Sequence, residues 1–344
     1  MGTQIEVGIE GRLGVIALNR PEAIHALSQE MIEGISGVLR LWADDPKVSA
    51  VLFEARDGRG FCAGGDVRAV RNAVLAGDAA LVERFFASEY AMNLQIARYR
   101  KPVVVIADGI VMGGGIGIAG HCRYRFTTPR SKFAMPEAAI GFVCDVGVNA
   151  LLARAPLHRA LLFELSGQTV GAADAIALGL ADCAVPPERL GFLRAMIVNA
   201  ADAGQVETAL AGLMQAESVE AGEREACDIY DRLDEITGLE SAAEIVSAVD
   251  RSGVAPDFAV LLKARSPSSQ HAIHAAHLAS RRGDDIAAIL GIDLNLARFM
   301  AQQPDFAEGV RAVLVDKDQS PRWQSEVPLR EIAELIAGSL PISS

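Results

Sequence analysis

The chain has no surplus of positive charge. Its 344 residues carry 44 acidic against 32 basic side chains, a formal net charge of −12. Nucleic-acid phosphates are gripped by basic surfaces, so nucleic acid is excluded as the main partner; a local basic patch for one anionic ligand stays open. Cysteine is scarce and unpatterned: five residues, an odd number, with no C-x-x-C pair. That predicts free thiols in a reducing compartment, read here as the cytoplasm. Met1–Glu6 has neither a basic stretch nor a long apolar run, so no signal peptide is expected, and Glu6 stands where myristoylation needs Ser or Thr. Val103–Gly120 is apolar apart from Asp108, yet it is full of glycine. It reads as a buried strand and a tight turn, so no membrane span is expected. There is no internal repeat and no low-complexity segment. His271, His274 and His277 spread over about 240° of a helix, too wide for one ion, so no metal site is expected.

What is present is core. Hydrophobic residues make up 51 % of the chain and mean hydropathy is +0.24, so disorder is excluded. The length allows roughly two to three domains. Ile5–Glu10 and Leu13–Asn19 read as a hairpin turning at Gly11-Arg12. Ser28 is placed to cap a helix whose inner face is Met31, Ile32, Ile35, Val38, Leu39 and Trp42. Val48–Glu54 and Pro102–Ala107 are buried strands by their apolar runs, and Tyr124–Thr127 is a further strand. Helices are expected from Asp66 toward Leu75, over Ala79–Ala97 and over Gly147–Ala153. Strands alternating with helices at this spacing give an α/β core of mostly parallel strands. Past residue 190 the patterns turn helical, most clearly over Ser268–Arg282, where Ser266-Pro267-Ser268-Ser269 is a helix start signal, over Asp285–Gln302 and over Val327–Leu340. The plan is an α/β core over 1–200 and a helical region over 201–344.

Two glycine turns carry the chemistry. One is Phe61-Cys62-Ala63-Gly64-Gly65-Asp66; the other opens Gly109–Asp145 with Gly113-Gly114-Gly115. Two such turns can each aim one N–H at the same oxygen, as an oxyanion hole requires. Two carboxylates, Glu137 and Asp145, close the second stretch and suit acid–base or nucleophilic work. Gly115–Gly120 also matches G-x-G-x-x-G. It is not read as a dinucleotide site, because Gly109–Gly114 separates it from its strand and Pro136 precedes the candidate ribose acid Glu137.

F-C-A-G-G-D, M-G-G-G-I-G and F-A-M-P-E-A-A-I-G together resemble the crotonase (enoyl-CoA hydratase/isomerase) superfamily, as does L-N-R-P-E-A at Leu18–Ala23. F-F-A-S-E-Y at Phe85–Tyr90, C-D-V-G at Cys144–Gly147 and the run from Glu308 to Trp323 resemble its 3-hydroxyisobutyryl-CoA hydrolase branch. The resemblance implies ββα units wound in a spiral, with C-terminal helices that cover the site or join subunits. A homo-oligomer is therefore open. It implies an acyl-CoA thioester as substrate, with coenzyme A arriving as part of it and no separate cofactor. Gly65 and Gly114 match the oxyanion donors; losing one such donor costs about 3–4 kcal/mol in the transition state. Ala63, Asp66, Arg68 and Glu89 match substrate-binding positions: Glu89 for a β-hydroxyl, Arg68 for coenzyme A phosphates, Asp66 beside the adenine or as a helix cap.

Hydratases of this superfamily use two glutamates. Here the first position is Glu137, but the second is Gly117, while Asp145 stands where hydratases carry glycine. The pattern implies thioester hydrolysis, a step of valine catabolism. Glu137 would attack the thioester carbon or activate a water; Asp145 would orient it, or cap the helix that follows. The leaving thiolate resembles that of cysteine, pKa about 8.5, and needs little acid help. An isomerase or hydratase using Glu137 alone, and a non-catalytic acyl-CoA-binding subunit, are the alternatives. His25 stands where the superfamily has Asn and is expected in a turn. Cys144 and Val148-Asn149-Ala150 depart from the hydrolase pattern on both sides of Asp145. Cys62, Cys122 and Cys144 are expected to be packing residues.

Overall fold

The computed structural model describes residues 4–56, 58–283, 285–324 and 327–343. The leader reading at Met1–Thr3 and Asp57 of the loop before Gly60 lie outside them. β1 (Ile5–Glu10) and β2 (Leu13–Leu18) form the expected antiparallel hairpin, turning at Gly11 with φ +58°. Ser28 caps α1 (Gln29–Ala43), its hydroxyl accepting from the Met31 N–H, and Ile32, Ile35 and Leu39 on the inner face are buried. β2 is buried along its whole length because it pairs with parallel β3 (Ala50–Ala55) and both faces are covered.

From β3 onward the chain winds, and each turn gives one strand to each of two sheets. β3 is followed by β4 (Gly60–Cys62), α2 (Val67–Ala76) and α3 (Ala79–Ala97). β5 (Val103–Ala107) is followed by β6 (Ile110–Met112) and α4 (Gly114–Ala119). β7 (Tyr124–Thr127) is followed by β8 (Lys132–Ala134) and a 3-10 turn at Pro136–Ala139. With β9 (Val170–Gly171) and β10 (Cys183–Ala184), the sheet orders are β1-β2-β3-β5-β7-β10 and β4-β6-β8-β9. The β3-β5-β7 and β4-β6-β8 neighbours are parallel. This is the spiral of ββα units the resemblance implied. The second sheet was not legible as such, because strands of two or three residues are too short to show alternation. The strand expected at Val48–Glu54 runs instead over Ala50–Ala55.

Alternation along the longer strands separates two cores. Val51, Phe53, Val103 and Val105 face the larger one. Leu52, Val104, Ile106 and Phe126 face a smaller one, closed by Leu193, Ile197 and Leu210 from the helices Leu190–Asp202 and Val206–Ala216. Beyond Ala184 the described residues form no further strand, only a bridge between Ala184 and Val219.

The later helices return to the spiral. Pro267–Ser280 starts where Ser266-Pro267 predicted, with Ser266 as cap. Ile286–Met300 lies along α3, tied by ion pairs of Arg298 with Glu83 and of Asp285 with Arg98. The last helix is shorter than expected, Leu329–Ala337, bounded by Pro328 and Gly338. Pro304–Val310 passes so close to the Glu137 loop that a Cβ on Gly141 would strike the Asp305 carbonyl, and one on Gly309 would strike the Ile140 backbone. A π-helical turn follows at Arg311–Val315, and its Val313 and Leu314 reach the candidate site.

Candidate active site

Three loops and one helix converge. The end of β4 leads into Ala63-Gly64-Gly65, where Gly64 takes φ +105°. The end of β6 leads into Gly113 at φ +47° and then α4, whose first residue is Gly114. A first helical residue has no carbonyl one turn behind it, so the Gly114 N–H is left for something else. The Gly65 nitrogen lies 3.2 Å from where a Gly114 Cβ would be, so the two expected donors do sit together. Neither N–H is given to a backbone carbonyl among the described residues outside the regular elements. Gly115–Gly120, the dinucleotide look-alike, lies within and at the end of α4, and the stretch expected to separate it from its strand itself contains the short strand β6.

α3 supplies the roof. Phe85, Phe86, Glu89, Tyr90 and Asn93 form its buried inner face. The Glu89 carboxylate lies over both glycines: a Cβ on Gly114 would collide with Oε1, and one on Gly65 would lie 3.6 Å from Oε2. Glycine at 114 is thus what lets the carboxylate come this close. Glu89 is not a solvated helix acid like Glu83. It is buried, and Oε1 has no hydrogen-bond partner among the described residues.

Glu137 sits in the 3-10 turn after β8, with Oε1 3.0 Å from where a Gly113 Cβ would be. The Cys144 thiol lies 3.8 Å from Oε2. No cation pairs with Glu137 among the described residues, so the ion-pair reading is set aside. Asp145 faces the same space and accepts a 2.6 Å hydrogen bond from the Tyr90 hydroxyl at Oδ2. It does not cap the helix. Gly147 holds that position, and only the Asp145 carbonyl accepts from the Val148 N–H.

The Asp145 turn is strained. Val146 has φ +55°, rare for a β-branched residue, and such strain persists only where neighbours hold it. His121 Nε2 lies 2.8 Å from the Val146 carbonyl, and Asp293 from Ile286–Met300 accepts from the Gly147 N–H at 2.8 Å. His25 also takes the left-handed backbone expected of it, φ +54°, and its Nδ1 accepts from the Arg20 N–H.

Burial without a cation sets the electrostatics. Desolvation pushes Glu137 well up, and the neighbouring Asp145 adds to it. Glu89 is raised for the same two reasons. Asp145 is pushed up to about 7 by burial, while the Tyr90 hydrogen bond pulls it back. Glu137 and Asp145 share this buried space and titrate together, each held above the ordinary carboxylate range. The cavity they enclose measures about 260 Å³ and is lined by Gly65, Phe85, Glu89, Gly114, Glu137 and Asp145, among others.

The remaining expected residues fall around it. Ala63 lines the cavity, and its N–H donates to the Ile24 carbonyl. Asp66 caps α2 through the Ala69 N–H and pairs with Arg20 at 2.8 Å. Arg68 is exposed and donates to the Leu314 carbonyl of the π-turn. All five cysteines are buried and free. Sequence reasoning gave no role to Tyr90, although it follows Glu89 directly in F-F-A-S-E-Y, and it had no signal for Asp293. A larger cavity of about 530 Å³ opens beside Arg56, Arg130 and Arg194. Those arginines are paired with Glu6, Asp108 and Glu10, and Arg59 lines the same cavity. No group of His, Cys, Asp and Glu among the described residues could hold a metal ion, and no described helix is long and apolar enough to cross a membrane.

Position 117 separates two chemistries. A Cβ on Gly117 would lie 2.8 Å from Val146 Cβ and 2.9 Å from Asn93 Nδ2. The second hydratase carboxylate is therefore not only missing but shut out.

The family described as Enoyl-CoA hydratase/isomerase matches residues 13–334. The chain is 35 % identical over 329 residues to a mitochondrial 3-hydroxyisobutyryl-CoA hydrolase of Xenopus tropicalis, spanning 94 % of this chain and 85 % of that one. It is 32 % identical over 330 residues to the mitochondrial 3-hydroxyisobutyryl-CoA hydrolase of Homo sapiens, with the same two shares, 94 % and 85 %. A crystal structure of a carnitinyl-CoA dehydratase from Mycobacterium thermoresistibile superimposes with a TM-score of 0.89 at 33 % identity, covering 99 % of this chain and 97 % of that one. These names correct the cytoplasmic expectation, since both relatives are mitochondrial proteins. Free thiols report a reducing compartment and do not single out the cytosol. Matched from residue 13 to residue 334, the chain belongs to the enoyl-CoA hydratase/isomerase family.

Proposed function

We propose that the protein hydrolyses a short β-hydroxyacyl-CoA thioester, 3-hydroxyisobutyryl-CoA, to the free acid and coenzyme A, as valine breakdown requires. The observation that carries this reading is the exchange of one carboxylate for another. Gly117 is closed to a side chain by Val146 and Asn93, while Asp145 enters the cavity beside Glu137. The hydrolase names of the relatives support the same reading.

The thioester carbonyl oxygen sits between the Gly65 and Gly114 N–H groups, which stabilise the negative charge of the tetrahedral state. Glu137 drives the attack on the carbonyl carbon, directly or by taking a proton from a water. The two routes share the carboxylate and the oxyanion hole. Collapse breaks the carbon–sulfur bond, and coenzyme A leaves as a thiolate with little need of an acid; the water route yields the free acid at once, while the direct route leaves a Glu137–acyl anhydride that a water then hydrolyses to the free acid and the Glu137 carboxylate. Asp145, held by Tyr90, shares the pair's negative charge and the proton that the reacting water gives up. Glu89, buried and unpartnered at Oε1, receives the β-hydroxyl.

Adding 3-hydroxyisobutyryl-CoA is expected to release coenzyme A, read with a thiol reagent, and Glu137→Gln is expected to abolish release while sparing binding. Near-normal release by that variant removes Glu137 from its role. If only the double-bond absorbance of an enoyl-CoA changes, the hydratase or isomerase alternative, which uses Glu137 alone, takes over. The dehydratase name of the solved structure is the reason to run that arm.

A further inference from the structure

Glu89 and Phe85 are one turn apart on α3, and both lean over Gly65. A Cβ on Gly65 would lie 3.1 Å from Phe85 Cζ and 3.3 Å from Cε1. The same ring lines a second cavity of about 450 Å³ between α1, α2 and α3, where Ala69, Val70 and Leu81 give an apolar wall and Asp66, Asp78 and Arg84 a charged one. Among the described residues, Phe85 is the one that lines both this cavity and the 260 Å³ site. We propose that Phe85 is the partition that limits the enzyme to short acyl groups, by walling the acyl site off from this second cavity.

The inference rests on the thioesterase reading for its substrate and on packing for its mechanism. Phe85 is buried and its ring is held. Phe86 meets it edge-on, with centroids 5.6 Å apart and planes at 85°. Phe86 in turn stacks on Phe142 at 5.2 Å, and Phe142 packs on Phe306 at 5.3 Å. The aromatic row holds the ring on the Phe86 side. A thioester with its carbonyl at the Gly65 N–H sends its acyl chain toward Glu89 and Phe85. A β-hydroxyl stops at Glu89. Carbons beyond it meet the ring edge. The apolar wall of the second cavity accepts methylenes once the ring is gone.

The test is the acyl-length profile. Coenzyme A release is measured for 3-hydroxybutyryl-, 3-hydroxyhexanoyl- and 3-hydroxyoctanoyl-CoA with the wild type, Phe85→Ala and Phe85→Leu. The wild type is expected to favour the four-carbon ester over the eight-carbon one by about tenfold or more in kcat/KM, and Phe85→Ala to raise the long-to-short ratio by about tenfold. Phe85→Leu, which keeps most of the volume, is expected to shift the ratio toward six carbons only, and it carries the test if the alanine variant does not fold. The proposal is overturned by a wild type that hydrolyses all three lengths alike, or by folded variants whose ratio moves less than twofold. If the wild type releases no coenzyme A from any of them, the thioesterase reading has failed, and calorimetric titration of the same esters decides about the partition. Tighter binding of the eight-carbon ester to Phe85→Ala than to the wild type then supports it, and equal binding overturns it.

Discussion

Replacing Tyr90 by phenylalanine removes one oxygen from the site. The ring is fully buried and packs against Phe86 with centroids 6.0 Å apart, so Phe keeps the packing and deletes only the hydroxyl. That hydroxyl donates to Asp145 Oδ2 at 2.6 Å in a site without a cation. A hydrogen bond to a charged acceptor contributes about 1.5–3 kcal/mol, against about 0.5–1.5 for a neutral one. The difference, about 1.4 kcal/mol, is what Tyr90 adds in favour of the ionised carboxylate, and it equals about one pKa unit. Asp145 is already pushed up to about 7 by burial, with the Tyr90 bond pulling it down. Without the bond it moves up by about one further unit. Hydrolysis needs the Glu137–Asp145 pair to carry a negative charge, so the acid limb of the pH profile moves with it. At pH 7 the ionised fraction falls from about one half to about one tenth, roughly a fivefold loss of kcat/KM, and the loss fades by pH 9. The assay is coenzyme A release from 3-hydroxyisobutyryl-CoA between pH 5.5 and 9.5 for the wild type and Tyr90→Phe. A loss of equal size at every pH, with the acid limb unmoved, refutes the reasoning and leaves Tyr90 a packing residue.

Two further outcomes are expected. Asp145 is raised in the folded chain from the usual carboxylate value to about 7, so the stability it contributes is full below about pH 4 and is lost as pH rises through 7. Asp145→Asn does not ionise, and its melting temperature should gain on the wild type between pH 4.5 and pH 8; a gap that stays constant across that range is evidence against a buried, ionising Asp145. Gly117→Glu, the change that restores the second hydratase carboxylate on paper, should lower the melting temperature by several degrees and give no hydration of crotonyl-CoA, because Val146 and Asn93 already fill the space. A stable variant with hydratase activity means that this wall yields.

What the sequence made legible follows from how far each signal reaches. Ser28, Asp66 and Ser266 announced their helices because a cap is a contact within three residues. Of the first sheet, β2, β3 and β5 announced themselves by buried runs of five or six residues. The second sheet left no such trace. Glu137 and Asp145 are eight apart in sequence, and their motifs brought them together on the page before the fold did. Tyr90 and Asp293 reach Asp145 and Gly147 from α3 and from a helix that starts at Ile286. Nothing local marks such a residue, because its partner is 55 positions away in one case and 146 in the other.

Gly117 shows the same limit from the other side. Read alone, it is an absence: a glycine where a hydratase has a glutamate. In the fold it is one half of a contact whose other half is Val146, and Val146 reaches it only because its backbone is turned to φ +55°. The turn that brings Val146 against Gly117 also brings Asp145 into the cavity, to Tyr90 and toward Glu137. A glutamate at 117 needs Val146 out of the way, and moving Val146 relaxes the turn that presents Asp145. The strain is held from outside the turn, by His121 on the Val146 carbonyl and Asp293 on the Gly147 N–H. Through Asp293, the late helix Ile286–Met300 helps to hold the turn that carries Asp145.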